Sequence, residues 1–410
     1  VANSPNPKRN FAHWLKAYCN FTAQSEAPLD FHFWTGVSTI ASVLRRRVWK
    51  DELLFKWTPN FYIVFVGPAG IVTKSTSLGL GHSLLRKVDG IHFGPDSMTW
   101  HGLGKQFEAA VEYADYRLPD GTMKPIMMSA LTCSVSELGT FLRPDDKSLI
   151  SFLTDVWDGK ERPFLHTTKS SGEIKIENAW LNIISATTPS WLQQNFPVSL
   201  LSEGIGSRIV FVYGEAKRHF TAYPSRQIKA ADYSAMESKL IEDLAYMAKL
   251  VGPYELTDGA YLWGEKWYAK HNSTSSKAMA SGRYGGYLAR KQTHLHKLAI
   301  VLAAAQRDDL LIHESDLIEA ETILNSTESS MIKVFESVGV VDEAKHVAEL
   351  TAFVRAHSWI TAKNLYRLCY NIMTEKDFKL ALKHAIDGDL LTVIQRNNEN
   401  GVSVKPKVTH

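Results

Sequence analysis

The chain has 410 residues, 45% of them apolar and 22% charged, with a formal net charge of +3. That length allows two or three domains with ample core, and the composition excludes a disordered or low-complexity chain. A charge so close to zero excludes nucleic-acid binding through global charge and leaves it to local patches.

Cys19, Cys133 and Cys369 lie far apart, in no zinc or redox spacing, which points to a reducing, intracellular setting. The longest uncharged run, residues 179–202, contains Asn, Gln, Ser and two prolines. It would make a poor membrane span, so no membrane partner is expected.

Residues 1–55 open with a Pro/Asn-rich lead and read as an N-terminal helical segment, with helices over 11–21 and 31–48. Residues 56–215 hold four apolar strand candidates, 61–66, 126–135, 180–186 and 208–213, separated by helical patterns such as 100–114 and 149–157. Buried strands alternating with helices predict an α/β fold, a parallel sheet covered on both faces. Residues 216–340 lose the strand signal and read as helices over 233–250, 263–271, 290–306 and 314–339. Residues 341–410 have their own rhythm: a helix over 342–357, two more capped by Thr361 and Thr374, then a hairpin over 390–408. Three helices followed by a hairpin describe a winged helix.

The first strand candidate ends in Gly67-Pro68-Ala69-Gly70-Ile71-Val72-Thr73-Lys74-Ser75-Thr76 and is followed by a helix-like segment. Buried strand, tight turn and helix N-terminus is the order of a phosphate-binding loop. Backbone N–H groups and the helix dipole cradle phosphates there, a lysine reaches the β/γ-phosphates and a hydroxyl ligates magnesium. Lys74 and Ser75 stand where those roles require them. The step from Gly67 to Lys74 is seven positions rather than the usual six, and Thr73 replaces the glycine before the lysine. The loop must therefore be wider, and Thr73 adopts a positive φ less easily than glycine. The competing reading is a plain strand–turn–helix with a surface Lys-Ser-Thr.

An ATPase on such a loop needs an acid at the tip of a neighbouring strand. The run 126–135 ends in Ser136-Glu137-Leu138-Gly139, which makes Glu137 the candidate water-activating carboxylate. The competing reading is a helix start, with Ser136 as its cap. Between this strand and the next, residues 165–176 read as a hairpin whose basic residues, Lys169 and Lys175, could touch a nucleic-acid backbone. The strand at 180–186 delivers Thr187-Thr188-Pro189, and Thr188 could sense the γ-phosphate or position water. Arg208 opens the last strand directly after Gly204-Ile205-Gly206-Ser207, a placement that suits an arginine finger acting on a neighbouring subunit. Pairing to a carboxylate of its own chain is the alternative. Arg290 starts an amphipathic helix and could reach back to the nucleotide as a second sensor. Lys376, Lys379 and Lys383 share one helix face in the terminal module, a candidate phosphate-contacting surface.

In this order the elements resemble the AAA+ hexameric replicative helicases, such as the minichromosome-maintenance and virus-type initiator helicases. More closely, the chain resembles the replicative helicase-like ATPases of bacteriophages and mobile elements, over essentially its whole length. The lengthened loop, Ser136-Glu137-Leu138-Gly139, Trp157-Asp158-Gly159-Lys160, the hairpin at Thr168-Lys169-Ser170-Ser171-Gly172-Glu173-Ile174 and Ser207-Arg208-Ile209-Val210-Phe211-Val212 carry that resemblance. It implies a P-loop ATPase core at 56–215, a helical lid at 216–340 and a winged-helix domain at 341–410. It also implies ATP and Mg2+ as cofactors, single-stranded or forked DNA as partner, and a homo-oligomeric ring, a hexamer. Its function would be an ATP-hydrolysing DNA helicase or translocase in the cytoplasm of a bacterial host. Two other readings stay open: a non-motor initiator or regulator that uses ATP for assembly, and a packaging or defence motor.

Overall fold

A computed structural model describes residues 9–95, 97, 100–118, 120–160, 163–168, 172–196, 200, 204–273, 285–337, 342–396 and 399–404. The chain divides into two compact units, Val1–Val338 and Gly339–His410.

In the first unit, α1 (Trp14–Phe21) and α2 (Leu29–Leu44) lead into a short hairpin, β1 (Val48–Asp51) and β2 (Lys56–Trp57). Then come β3 (Tyr62–Val66), α3 (Lys74–Leu85), α4 (Trp100–Ala109), β4 (Val111–Arg117) and β5 (Met123–Val135). The next elements are α5 (Leu138–Phe141), α6 (Lys147–Trp157), the hairpin β6 (Phe164–Thr168) and β7 (Gly172–Ile176), β8 (Ala179–Thr187), α7 (Pro189–Asn195) and β9 (Ile209–Tyr213). Beyond these lie the helices Ala230–Met247, Asp258–Ser273, Gly285–Ala304 and Glu314–Ser337.

The central sheet has the order β4-β5-β8-β3-β9. β3 pairs in parallel with β8 and β9, and β5 pairs in parallel with β8. Alternate residues of β3 supply two different cores: Ile63 and Phe65 pack with α1, α2 and the later helices, whereas Tyr62, Val64 and Val66 pack with α4 and α6. Burial on both faces is why these strands read as unbroken apolar runs.

The all-parallel expectation needs one correction. The helix expected over 100–114 stops at Ala109, and residues 111–117 form an edge strand antiparallel to β5, from Val111↔Ser129 to Arg117↔Met123. Their Val-Glu-Tyr-Ala-Asp-Tyr-Arg sequence is rich in β-branched and aromatic residues, which suit a half-exposed pleated surface. The sheet is therefore mixed.

α2 runs back across the sheet, antiparallel to β3. Phe31, near its start, stacks on Phe65 at 4.4 Å between ring centroids, beside the C-terminal end of β3. Arg46, just past its end, donates to the carbonyls of Gly159 at 2.9 Å and of Ala179, the first residue of β8, at 3.2 Å. In between, the buried Asn182 accepts from the Phe61 N–H and donates to Ser38 and Ser42, which fixes helix to sheet. Among the described residues, no helix is long and apolar enough to cross a membrane.

Two histidines of the Gly285–Ala304 helix are buried. Burial, with a smaller push from nearby cations, holds His294 down to about 3 and His296 to about 4. Both are neutral in the fold, while the unfolded chain takes up protons below about pH 6.5. Stability is therefore complete above that pH, falls as pH drops, and stops falling near the folded values. At pH 5 each histidine is expected to remove about 2 kcal/mol. Urea unfolding at pH 7.5 and pH 5.0 checks this, and equal midpoints would contradict it.

The second unit places Thr361 and Thr374 as caps, accepting from the Asn364 and Asp377 N–H groups, on helices Ala362–Cys369 and Glu375–Asp387. Asp342–His357 precedes them. Strands Leu391–Arg396 and Glu399–Val404 pair antiparallel, and Ile360–Thr361 adds to the second of them.

Candidate functional site

Because β3, β5, β8 and β9 are parallel, their C-terminal ends lie along one edge of the sheet. The loop after β3, Ser136-Glu137 after β5 and Thr188 after β8 all follow strand ends on that edge, with β8 lying between β3 and β5. This is where open α/β sheets bind ligands. The Gly67 N–H donates to the Thr187 carbonyl at 3.3 Å, and the Gly214 N–H donates to the Val66 carbonyl at 2.9 Å, which ties the three strand ends together.

The loop is tightly built at its root. A Cβ on Gly67 would stand 2.5 Å from the Gly214 carbonyl oxygen and 2.6 Å from Val72. Gly70 turns with φ +71°, and Thr73 adopts the left-handed conformation at φ 44° that glycine takes more easily. A β-branched residue there is an outlier, with strain of the order of 1–3 kcal/mol. Val72 is buried, whereas Ala69, Gly70, Ile71, Ser75 and Thr76 are exposed.

Lys74 is the first residue of α3, and its Nζ donates to the carbonyls of Gly67 at 2.5 Å and Pro68 at 3.1 Å. Among the described residues it forms no ion pair, and partial burial lowers its pKa. A cation satisfied only by loop carbonyls, at a helix start without acids in its first turn, is ready to exchange them for anionic oxygens.

Glu137 is exposed and occupies the cap position of α5, and its side chain makes no capping hydrogen bond. Thr188 caps α7, accepting from the Trp191 N–H at 3.2 Å. The buried Thr187 hydroxyl next to it has no hydrogen-bond partner among the described residues.

A cavity of about 480 Å³ adjoins the first turns of α3, lined by Phe21, Thr76, Leu80, Pro224, Ile228 and Tyr233. The Phe21 and Tyr233 rings lie 4.5 Å apart. Mostly apolar walls with a few hydroxyls suit a flat aromatic ring system. Sequence reasoning missed this cavity, because its walls come from segments two hundred residues apart and each reads as ordinary core or loop.

Arg208 lies elsewhere. It precedes β9, and Ile209 is in register with Tyr62 at the start of β3, so the guanidinium is at the N-terminal edge. The strand between it and the loop spans roughly 16 Å. It is buried, grips Asp158 with Nε at 3.0 Å and Nη2 at 2.7 Å, and donates from Nη1 to the Gly204 carbonyl at 2.6 Å. Arg208 therefore cannot serve the loop of its own chain.

Arg290 belongs to the same edge. Burial lowers its pKa, the charge of Arg208 lowers it further and Asp158 opposes both. The sequence expects Arg290 to reach back to the nucleotide as a second sensor; in the fold it neighbours Arg208 and Asp158, at the edge opposite its own loop. The buried Lys297 completes this cluster, donating to the Asn60 side chain at 2.6 Å and the Trp157 carbonyl at 2.8 Å.

Of the expected DNA contacts, Lys169 lies outside the described residues. Lys175 is exposed on β7 and pairs with Glu177 at 2.7 Å. Lys376, Lys379 and Lys383 are all exposed on the Glu375–Asp387 helix, where Lys379 pairs with Glu375 at 2.6 Å. Among the described residues no three His, Cys, Asp or Glu side chains gather as a metal site, so a magnesium ion would rely on a hydroxyl such as that of Ser75 and on ligand phosphates. Compared with known proteins, the chain matches no family model and no curated protein.

Proposed function

We propose that this chain is an ATP-hydrolysing subunit of a ring that moves along or opens DNA, with a nucleotide site shared between neighbouring copies. The observation that carries the reading is the gathering of the Gly67–Thr76 loop, Glu137 and Thr188 at the C-terminal edge of four parallel strands. Magnesium–ATP would supply the phosphoryl group and part of the charge neutralisation. Lys74 would bind phosphate oxygens in place of the loop carbonyls it now holds. Ser75 would give a hydroxyl ligand to the metal, and Glu137 would orient the attacking water. The base would enter the apolar cavity beside Thr76.

Arg208 and Arg290 would face the loop of a neighbouring copy, since both sit at the opposite edge of the sheet from their own loop. Stacked head to tail, copies of the chain would bring one edge to the other and close a ring. The β6–β7 hairpin, carrying Lys169 and Lys175, and a winged helix formed by the second unit, with Lys376, Lys379 and Lys383, would contact the DNA backbone.

One observation favours a second reading. Arg208 already gives three hydrogen bonds to Asp158 and Gly204 within its own chain. A subunit that leaves it so would bind ATP, assemble on DNA and hydrolyse slowly, as a switch rather than a motor. Strand displacement on a forked duplex separates the two. ATP-dependent displacement is expected; assembly on the fork with no displacement would establish the switch.

A further inference from the structure

The 480 Å³ cavity beside the loop has walls fixed by the chain's own bonds. After β9 the chain runs as a strap over residues 214–229. Pro224 and Ile228 of the strap form one wall, and Thr76 and Leu80 of α3 form another. The root of the strap is tied to β3, where the Gly214 N–H donates to the Val66 carbonyl at 2.9 Å. Further along, Arg218 donates its N–H to the Glu26 carbonyl at 2.9 Å and Thr221 donates its N–H to the Glu26 carboxylate at 2.8 Å, which also pairs with Lys217. The Thr221 hydroxyl lies 3.0 Å from His219 Nδ1 and donates to it, so that Nε2 donates to the Ala23 carbonyl, also at 3.0 Å. Ala23 and Glu26 flank Gln24 and Ser25, which line the same cavity. A shape held in this way needs little ordering when a ligand enters.

The lining offers two kinds of surface. Leu80, Pro224, Ile228 and the Phe21–Tyr233 pair present apolar area to the faces of a ring and are indifferent to the substituents at its edge. The polar groups are the Gln24 amide and the hydroxyls of Thr76, Ser225 and Ser234, among others. A hydroxyl both donates and accepts and turns to suit, and a primary amide carries a carbonyl and an NH2 that can exchange places by a flip. Adenine carries an amino donor where guanine carries a carbonyl acceptor. Groups that are donor and acceptor at once satisfy either. Thr76, Ser225 and Ser234 are exposed, so a mismatched hydroxyl turns to water instead of being stranded. Strong rejection of the wrong ring requires fixed, buried partners that the wrong ring leaves unpaired.

We propose that the site takes purine nucleoside triphosphates as a class, ATP and GTP alike, with the phosphates setting position and the cavity reading ring shape. The inference rests on the phosphate-loop reading for where the triphosphate lies. It goes beyond that reading in naming the substrate class.

The test is titration calorimetry on the full chain with magnesium and, in turn, ATP, GTP and inorganic triphosphate. The two nucleotides are expected to bind within about tenfold of each other. Ile228→Asp places a charge in the apolar wall and is expected to weaken ATP and GTP by the same factor, at least about tenfold. Inorganic triphosphate, which reaches only the loop, should bind that variant as it binds wild type, and this also shows that the variant is folded. Gln24→Ala is expected to weaken both nucleotides by one smaller factor. A preference for either purine well beyond tenfold, a loss confined to one purine in Gln24→Ala, or unchanged nucleotide binding in Ile228→Asp would each overturn the inference while leaving the loop intact. Failure of wild type to bind both ATP and inorganic triphosphate would instead bring down the phosphate-loop reading, and this inference with it.

Discussion

Lys74→Ala is expected to abolish ATP hydrolysis and to weaken nucleotide binding sharply while leaving the first unit folded. Its Nζ holds only the Gly67 and Pro68 carbonyls, both at a partly exposed loop, so the fold loses little. A bound phosphate would lose a charge-assisted hydrogen bond of about 1.5–3 kcal/mol, a ten- to hundredfold loss of affinity. Hydrolysis would suffer more, because in the proposed site the lysine would also face charge that builds in the transition state. Glu137→Gln is expected to behave differently. The side chain is exposed and caps nothing, so binding stays normal while turnover stops and ATP is trapped. Equilibrium binding and steady-state hydrolysis on the two variants check the pair. Equal, mild effects would favour a surface turn with no ligand.

The second large effect concerns Arg208 and Asp158. Asp158→Ala is expected to destabilise the first unit by about 3 kcal/mol, because it strands a buried guanidinium without its carboxylate. Arg208→Ala costs less, since Asp158 is about one-third exposed and can be hydrated. Replacing both residues by alanine removes the uncompensated charge and is expected to restore most of the stability. Chemical denaturation of the three variants checks this order. In an assembled enzyme the double variant would still lack its cation on the neighbouring phosphoryl group, a loss that can reach about 10³–10⁵ in rate.

Much of this architecture was legible in the sequence, for reasons that can be traced to particular residues. The runs at 61–66, 180–186 and 208–213 read as strands because both faces of β3, β8 and β9 are buried, leaving no polar alternation to confuse with a helix. Glu137 and Thr188 could be paired with the loop because chain order and parallel pairing put strand ends on one edge. The edge strand at 111–117 escaped notice because it continues directly from α4 and finds its partner only across the turn to β5. The β1–β2 hairpin has strands of four and two residues, too short for any periodic signal.

Tertiary neighbours were the least legible. Arg290 was correctly assigned to a helix, but nothing in its surroundings reveals that Arg208 and Asp158 lie beside it. Asp158 itself drew notice only as part of Trp157-Asp158-Gly159-Lys160, and its bond to a residue fifty positions away emerges from three dimensions.

The measurement that bears most directly on the proposed shared site is hydrolysis by mixed subunits. Lys74→Ala protein keeps an intact arginine but an empty-handed loop; Arg208→Ala with Asp158→Ala keeps an intact loop but lacks the arginine. Neither is expected to hydrolyse ATP alone. When the two are mixed and shown to assemble together, part of the interfaces pair an intact loop with an intact arginine, and partial activity is expected to return. Complete absence of rescue in such mixed assemblies would contradict a site completed by a neighbouring copy and leave Arg208 as an internal clamp on Asp158.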